Sequence, residues 1–182
     1  MTETDVKKAA RLFFALWPDD EGRAAMESWQ PPLQQLCGGR PTPADKLHNT
    51  LVFLGEVEFG RLKALQLAAQ EVNGAAFQLS FDTARYWGHN HIVYAAPATV
   101  PAKLMQLVGD LEQRLRHHRF KFDQRPYKPH VTLMRRAQWS DRPLPAMQQL
   151  LWEMRDFALV QSASDGQGVN YEVLARFPLK VT

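Results

Sequence analysis

At 182 residues with 45% hydrophobic and 23% charged side chains, the chain can bury a domain-sized core without staples and is not globally disordered. A single cysteine, Cys37, excludes an internal disulfide and a cysteine-rich zinc site, and it fits a reducing compartment. The formal charge of +3 is unevenly spread: residues 103–136 carry nine Lys/Arg against three Asp/Glu, so this segment nets +6 and the rest nets −3. A local basic excess suits a phosphate-bearing partner, although a solvated helix face followed by a basic loop has the same composition.

In chain order, Arg11–Trp17 is a short apolar run ending at Pro18, and it reads as a buried strand. Leu12–Trp17 is too short to span a membrane and lacks a signal-peptide cleavage pattern, so a soluble, cytoplasmic, membrane-free protein is expected. Asp19-Asp20 offers a helix N-cap, followed by a helical pattern through Met26, Trp29 and Leu33 whose end is blurred by Pro31-Pro32. Gly38–Pro43 is a loop by composition. Leu47–Leu54 is a strand closed by Gly55, and Leu62–Val72 is a helix stopped by Asn73-Gly74.

Phe77, Leu79 and Phe81 alternate as on a half-buried strand, His91–Ala96 is another strand, and a helix runs from about Pro101 to His118. Lys128–Met134 is a strand after a basic loop, and two further strands lie near Phe157–Ala163 and Tyr171–Phe177. Strands and helices are interleaved, with no low-complexity segment or flexible linker between domains.

One internal echo carries chemistry. His48-Asn49-Thr50-Leu51 and His130-Val131-Thr132-Leu133 share the form H-x-T-L, each on a predicted strand entered from a polar, proline-containing loop. On a strand, His and Thr at i and i+2 project to one face, while Leu51 and Leu133 point into a core. If the halves pack as pseudo-repeats, two imidazoles and two hydroxyls converge on one cleft.

That set suits a phosphodiester. A neutral imidazole can take a proton from an attacking water, and a protonated one can give a proton to the departing ribose oxygen. Threonine hydroxyls can donate to the non-bridging oxygens, and Arg135, three residues after Thr132, can clamp the same phosphate. The scheme needs no metal and no cofactor.

The motifs resemble those of the two-histidine (2H) phosphoesterases, and specifically the LigT-like bacterial RNA 2′,3′-cyclic phosphodiesterases, also called 2′-5′ RNA ligases. The residues that carry the resemblance are RLFFAL at 11–16, Lys46–Leu51 with Phe53-Leu54-Gly55, and Arg125–Leu133, so it covers nearly the whole chain. It implies an α+β, bilobal fold over residues 1–182 as a single domain, with two antiparallel sheets flanked by helices around a central cleft. It implies His48 as proton donor and His130 as proton acceptor, with Thr50, Thr132 and Arg135 binding the substrate phosphate. The implied partners are RNA or nucleotides with 2′,3′-cyclic phosphate ends, the implied product a 2′-phosphomonoester, and the expected state a monomer. Asn49 departs from the family pattern, which has an apolar residue there; it should point away from the cleft.

Other residues suggest less. His89 and His91 imitate a metal pair but lack acidic or cysteine companions, so a hairpin turn at Gly88-His89-Asn90 is the better reading. His117 and His118 suit a helix C-terminus. Trp87, Phe53 and Tyr127 flank the motifs and could stack on a base, with core packing the plainer role. Cys37 lacks a partner histidine pattern for a nucleophile. Two alternatives to hydrolysis share these residues: ligation of a cyclic phosphate to a 5′-hydroxyl through a 2′-5′ linkage, and a noncatalytic module that only holds RNA ends.

Overall fold

The Arg11–Trp17 run owes its unbroken apolar character to burial on both faces. It lies in β1 (Ala9–Leu16) of the computed structural model, which describes residues 8–139 and 142–181. Leu12, Phe14 and Leu16 enter the main core, while Phe13, Ala15 and Trp17 pack on the opposite face. Such a strand needs neighbours on both edges, and it has them. β3 (Asn49–Glu58) pairs on one side and β9 (Asp156–Ser164) on the other, with β10 (Val169–Pro178) outside β9, all antiparallel.

A second antiparallel sheet runs in the order β2 (Arg40–Pro41), β7 (Val131–Arg135), β6 (Ile92–Ala96), β5 (Thr83–Trp87). A separate ribbon pairs β4 (Phe77–Phe81) with β8 (Leu150–Met154). Among the described residues four α-helices complete the fold: α1 (Asp20–Glu27), α2 (Gln30–Cys37), α3 (Leu62–Gln70) and α4 (Ala102–His117). One continuous core joins Leu16 and Leu51 of the first sheet, Leu133 of the second, and Leu33, Leu65 and Leu111 of the helices. Burying each such side chain fully contributes about 1.5–3 kcal/mol. The architecture is α+β with antiparallel sheets, as the family resemblance implied. No helix among the described residues is long and apolar enough to cross a membrane.

Several boundaries differ from expectation. The first helix ends at Glu27, and Pro31 and Pro32 sit in the opening turn of α2, where a missing N–H costs no hydrogen bond. Asp19 is the expected cap, accepting from the Gly22 N–H at 2.8 Å. Periodicity predicts no strand over Thr83–Trp87 or Leu150–Met154, yet both form, the latter with a clean alternation of buried and exposed residues. Gly55 does not close its strand. It adopts φ +74° at a bulge, where Leu12 faces Gly55 and Phe13 faces Phe53, and β3 continues to Glu58.

Two further bulges matter for the cleft. In β3, Ala15 faces Thr50 and Phe14 faces Val52, leaving Leu51 as the extra residue. In β7, Tyr94 faces Thr132 and Val93 faces Met134, leaving Leu133 extra. Each bulge buries two consecutive residues, Leu51-Val52 and Leu133-Met134, and returns the strand to its starting face at Phe53 and Arg135.

The end of β7 is braced by the loop before β2. Gly39 sits at φ +90°, and a Cβ there would lie 2.7 Å from the Arg135 carbonyl oxygen and 3.0 Å from the Ala137 backbone. Gly39→Ala should therefore destabilise by about 1–3 kcal/mol, lowering Tm by roughly 2–10 °C for a chain of this size. Gly60→Ala, with nothing within 4 Å of the added Cβ, should stay close to wild type. Thermal unfolding of the two variants side by side checks this.

Candidate functional site

Between the two large sheets lies a cleft of about 1180 Å³, and His48, Thr50, His130, Thr132 and Arg135 all line it. The histidines immediately precede strands β3 and β7 rather than lying within them. The expected i, i+2 relation still holds, since His48 Nε2 is 3.1 Å from Thr50 Oγ1. Odd spacing would ordinarily put Arg135 on the face opposite Thr132. The bulge at Leu133 makes their separation behave as an even one, and Arg135 joins the cleft.

Both rings are held the same way. His48 Nδ1 lies 2.7 Å from the Lys46 carbonyl oxygen, and His130 Nδ1 lies 2.8 Å from that of Lys128. A carbonyl only accepts, so Nδ1 carries the proton in each ring and donates it. In a neutral ring this leaves Nε2 with its lone pair free; in a cationic ring Nε2 carries the second proton.

The surroundings press both rings toward the neutral form. His48 stacks on Trp17 at 5.3 Å and 25°, tilts against Phe13 at 5.1 Å, and meets the edge of Tyr171 at 5.2 Å. His130 meets Trp87 edge-on at 4.7 Å and Tyr94 at 5.9 Å. Burial is the main cause that lowers the His48 pKa to about 4; the Lys46 carbonyl opposes it, and the charges of His130, Arg135 and Arg23 add to it. His130 is lowered by burial first and then by Arg135, against the Lys128 carbonyl. Among the described residues no carboxylate is hydrogen-bonded to either ring.

Most residues singled out elsewhere fall outside the cleft. His89 and His91 lie in the hairpin turn between β5 and β6, with His91 Nδ1 3.0 Å from the Tyr86 hydroxyl. Among the described residues no three His, Cys, Asp or Glu side chains cluster as a metal site. His118 Nε2 contacts Glu71 at 3.0 Å at the end of α4, and Cys37 is buried, which raises its thiol pKa. Trp87 packs on Tyr94 and His130, while Phe53 lines the cleft. The sequence reading overlooked Phe13, Trp17 and Tyr171, which wall in His48 from strands without any motif. The longer echo K-x-H-x-T-L would have pointed to the two anchoring lysine carbonyls.

Asn49 does point away from the cleft, and it is fully buried. Its Oδ1 accepts a 2.9 Å hydrogen bond from the Tyr127 hydroxyl, tying the residue after His48 to the segment that leads into His130. Burial raises the Tyr127 pKa, so the phenol stays a donor, while Asn49 Nδ2 has no partner among the described residues. Tyr127→Phe strands the remaining polar atom and should cost about 1–3 kcal/mol. Adding Asn49→Val should recover much of that loss, because an apolar pair leaves nothing unsatisfied. Urea unfolding of both singles and the double measures the coupling.

A family model described as the 2′-5′ RNA ligase superfamily matches residues 18–165. The chain is 32% identical over 169 residues to a protein of Escherichia coli K12 named RNA 2′,3′-cyclic phosphodiesterase, covering 93% of this chain and 96% of that one. It is 31% identical to the protein of the same name from Thermus thermophilus, covering 93% of this chain and 90% of its relative. Among solved structures, apo E. coli LigT superposes with a TM-score of 0.82 at 31% identity, covering 95% of this chain and 99% of that one. E. coli LigT complexed with 3′-AMP gives a TM-score of 0.80 at 31% identity, with 94% and 98% covered. Matched from its first helix to the end of β9, and sharing almost its full length with these relatives, the chain belongs to the 2′-5′ RNA ligase superfamily.

Proposed function

We propose that this protein is an RNA 2′,3′-cyclic phosphodiesterase that opens the cyclic end to a 2′-phosphomonoester by acid–base catalysis with two histidines and without a metal. The observation that carries the reading is the duplicated anchoring: in each lobe a histidine gives Nδ1–H to a backbone carbonyl beside a threonine of the same cleft. The names of the relatives support the substrate class.

In this mechanism His130 Nε2 takes a proton from water as the water oxygen bonds to phosphorus. The bond from phosphorus to the ribose 3′ oxygen breaks, and His48 gives that oxygen its Nε2 proton. The phosphate stays on the 2′ oxygen. Thr50, Thr132 and Arg135 hold the non-bridging oxygens as charge gathers there. The Lys46 carbonyl fixes the His48 ring through Nδ1, and the 3.1 Å contact of Nε2 with Thr50 Oγ1 gives way as Nε2 turns to the ribose oxygen and Thr50 to the phosphate.

The test is product analysis on a short RNA bearing a 2′,3′-cyclic phosphate, in chelator. Wild type should yield the 2′-phosphate at an undiminished rate, whereas His48→Ala and His130→Ala should each lose ~10²–10⁴-fold. The double variant should be far less than multiplicatively worse, since both transfers serve one displacement. Activity that needs a divalent ion, or near-wild-type turnover in either single variant, would sink the mechanism.

The pH profile follows from the depressed pKa values. Only the pair with one proton is active, and free histidines shifted below their usual value of about 6.5 lose that proton early. The free-enzyme profile, kcat/KM, should therefore peak on the acid side of 6.5 and fall as pH rises through 7. Bound phosphate restores negative charge, so the descending limb of kcat should lie at higher pH. Arg135→Ala should raise KM and also move the kcat/KM limb upward, because its charge lowers both rings. A kcat/KM flat from pH 6 to 8 would contradict this.

A further inference from the structure

One charged side chain is largely buried and plays no part in holding the phosphate. Arg23 lies in α1, a helix pinned at its start by the Asp19 cap and by Trp152 Nε1–H, which donates to the Gly22 carbonyl at 3.2 Å. The Arg23 side chain is 15% exposed. Its one ion pair among the described residues is a long one, Nη1 to the fully exposed Asp20 at 3.8 Å. Nε and Nη2 are buried with no hydrogen-bond partner among the described residues. Burying such donors unpaired is costly, so an arginine kept there needs a compensating contact. That contact is aromatic: the guanidinium lies over the Trp17 ring, 5.1 Å from its centroid. Trp17 is in turn the ring on which His48 stacks, and Tyr171 stands edge-on to both. A cation from α1 thus reaches the seat of the proposed acid without lining the cleft.

We infer that Arg23 is a positioning residue for His48: it holds the indole against which the imidazole lies, and its positive charge disfavours a second one on that ring. The inference rests on the phosphodiesterase reading and adds to it a control of the acid from outside the cleft. The other groups facing His48 are His130 and Arg135 from the β7 segment, the Tyr171 phenol from β10, and Lys46 two residues before it. Around Arg23 stand Asp19 and Asp20 of its own stretch of chain, Asp45 in the turn before His48, and Arg176 of β10, itself paired with Asp156. A guanidinium stays charged throughout the working range, so its push on His48 is constant. Arg23 is among the charges that lower the proton affinity of His48, after burial, and it is not among those acting on His130. The two rings therefore answer differently to its removal.

The experiment follows the ring protons of both histidines by NMR across the acid and neutral range, on the free protein and with saturating inorganic phosphate, whose charge lifts the midpoints. It compares wild type with Arg23→Gln, which removes the charge and keeps a planar group over Trp17, and with Arg23→Lys, which keeps the charge. In Arg23→Gln the His48 midpoint should rise by roughly half a pH unit, about a threefold gain in proton affinity, while His130 stays in place. Arg23→Lys should titrate like wild type. The descending limb of kcat/KM should move up with His48 in Arg23→Gln, without the rise in KM expected of Arg135→Ala. Should Arg23→Gln fail to fold, Arg23→Met, which leaves no polar group buried, gives the same reading. An unmoved His48 midpoint ends the inference, because a purely structural contact would lower Tm and leave the titration alone. An equal rise in both histidines ends it too, as the mark of a loosened cleft. If wild type hydrolyses no cyclic phosphate, the phosphodiesterase reading fails, and the titration still decides on Arg23.

Discussion

A strand turns successive side chains to opposite faces, and a cleft built from two strand segments must obey that period or break it at a defined place. Here it is broken at Leu51 and at Leu133. Each extra residue drops a second aliphatic side chain into the shared core and rotates the downstream residues back toward the cleft. The same packing that secures the core therefore aims Arg135 and Phe53. Removing either bulge would shift the downstream half of its strand by one face, exposing apolar residues and burying a guanidinium.

The polar ends of the site depend on how the histidines are seated. Each ring has its Nδ1 satisfied by backbone and its faces or edges covered by aromatic groups, so its single remaining freedom is the protonation of Nε2. Burial and the positive charge of Arg135 both hold that second proton off, so the basicity of each ring is set by the walls of the cleft and by the arginine that lines it.

The histidines and threonines stood out in the amino-acid sequence because H-x-T-L is local and occurs twice, and the interleaved helices and strands followed from periodicity. The features that stayed hidden are non-local. Neither Leu133 nor Met134 looks like a bulge residue, so strand alternation alone would turn Arg135 away from Thr132; its nearness in sequence and the resemblance both point to the clamp, and the bulge supplies the geometry. Gly55 was visible as a breaker, but only the register with Leu12 shows that it bends a strand instead of ending it. Leu150–Met154 is short and carries Glu153, and it becomes a strand by pairing with Phe77–Phe81, far away in sequence. Tyr171 reaches His48 from β10, a contact no motif announces.

The first sheet draws its inner strand from residues 9–16 and two more of its strands from residues 156–178. During vectorial synthesis β1 can zip to β3 early, while its other edge waits for β9 to emerge from the ribosome. Until then Phe13 and Trp17 lack Ala158, Val160 and Tyr171 above them, and a sticky edge is open to other chains. A nascent chain halted before β9 would already contain His48, Thr50, His130, Thr132 and Arg135 and yet have no complete wall around His48. The wall around His48 is therefore finished only when the β9–β10 hairpin has been added.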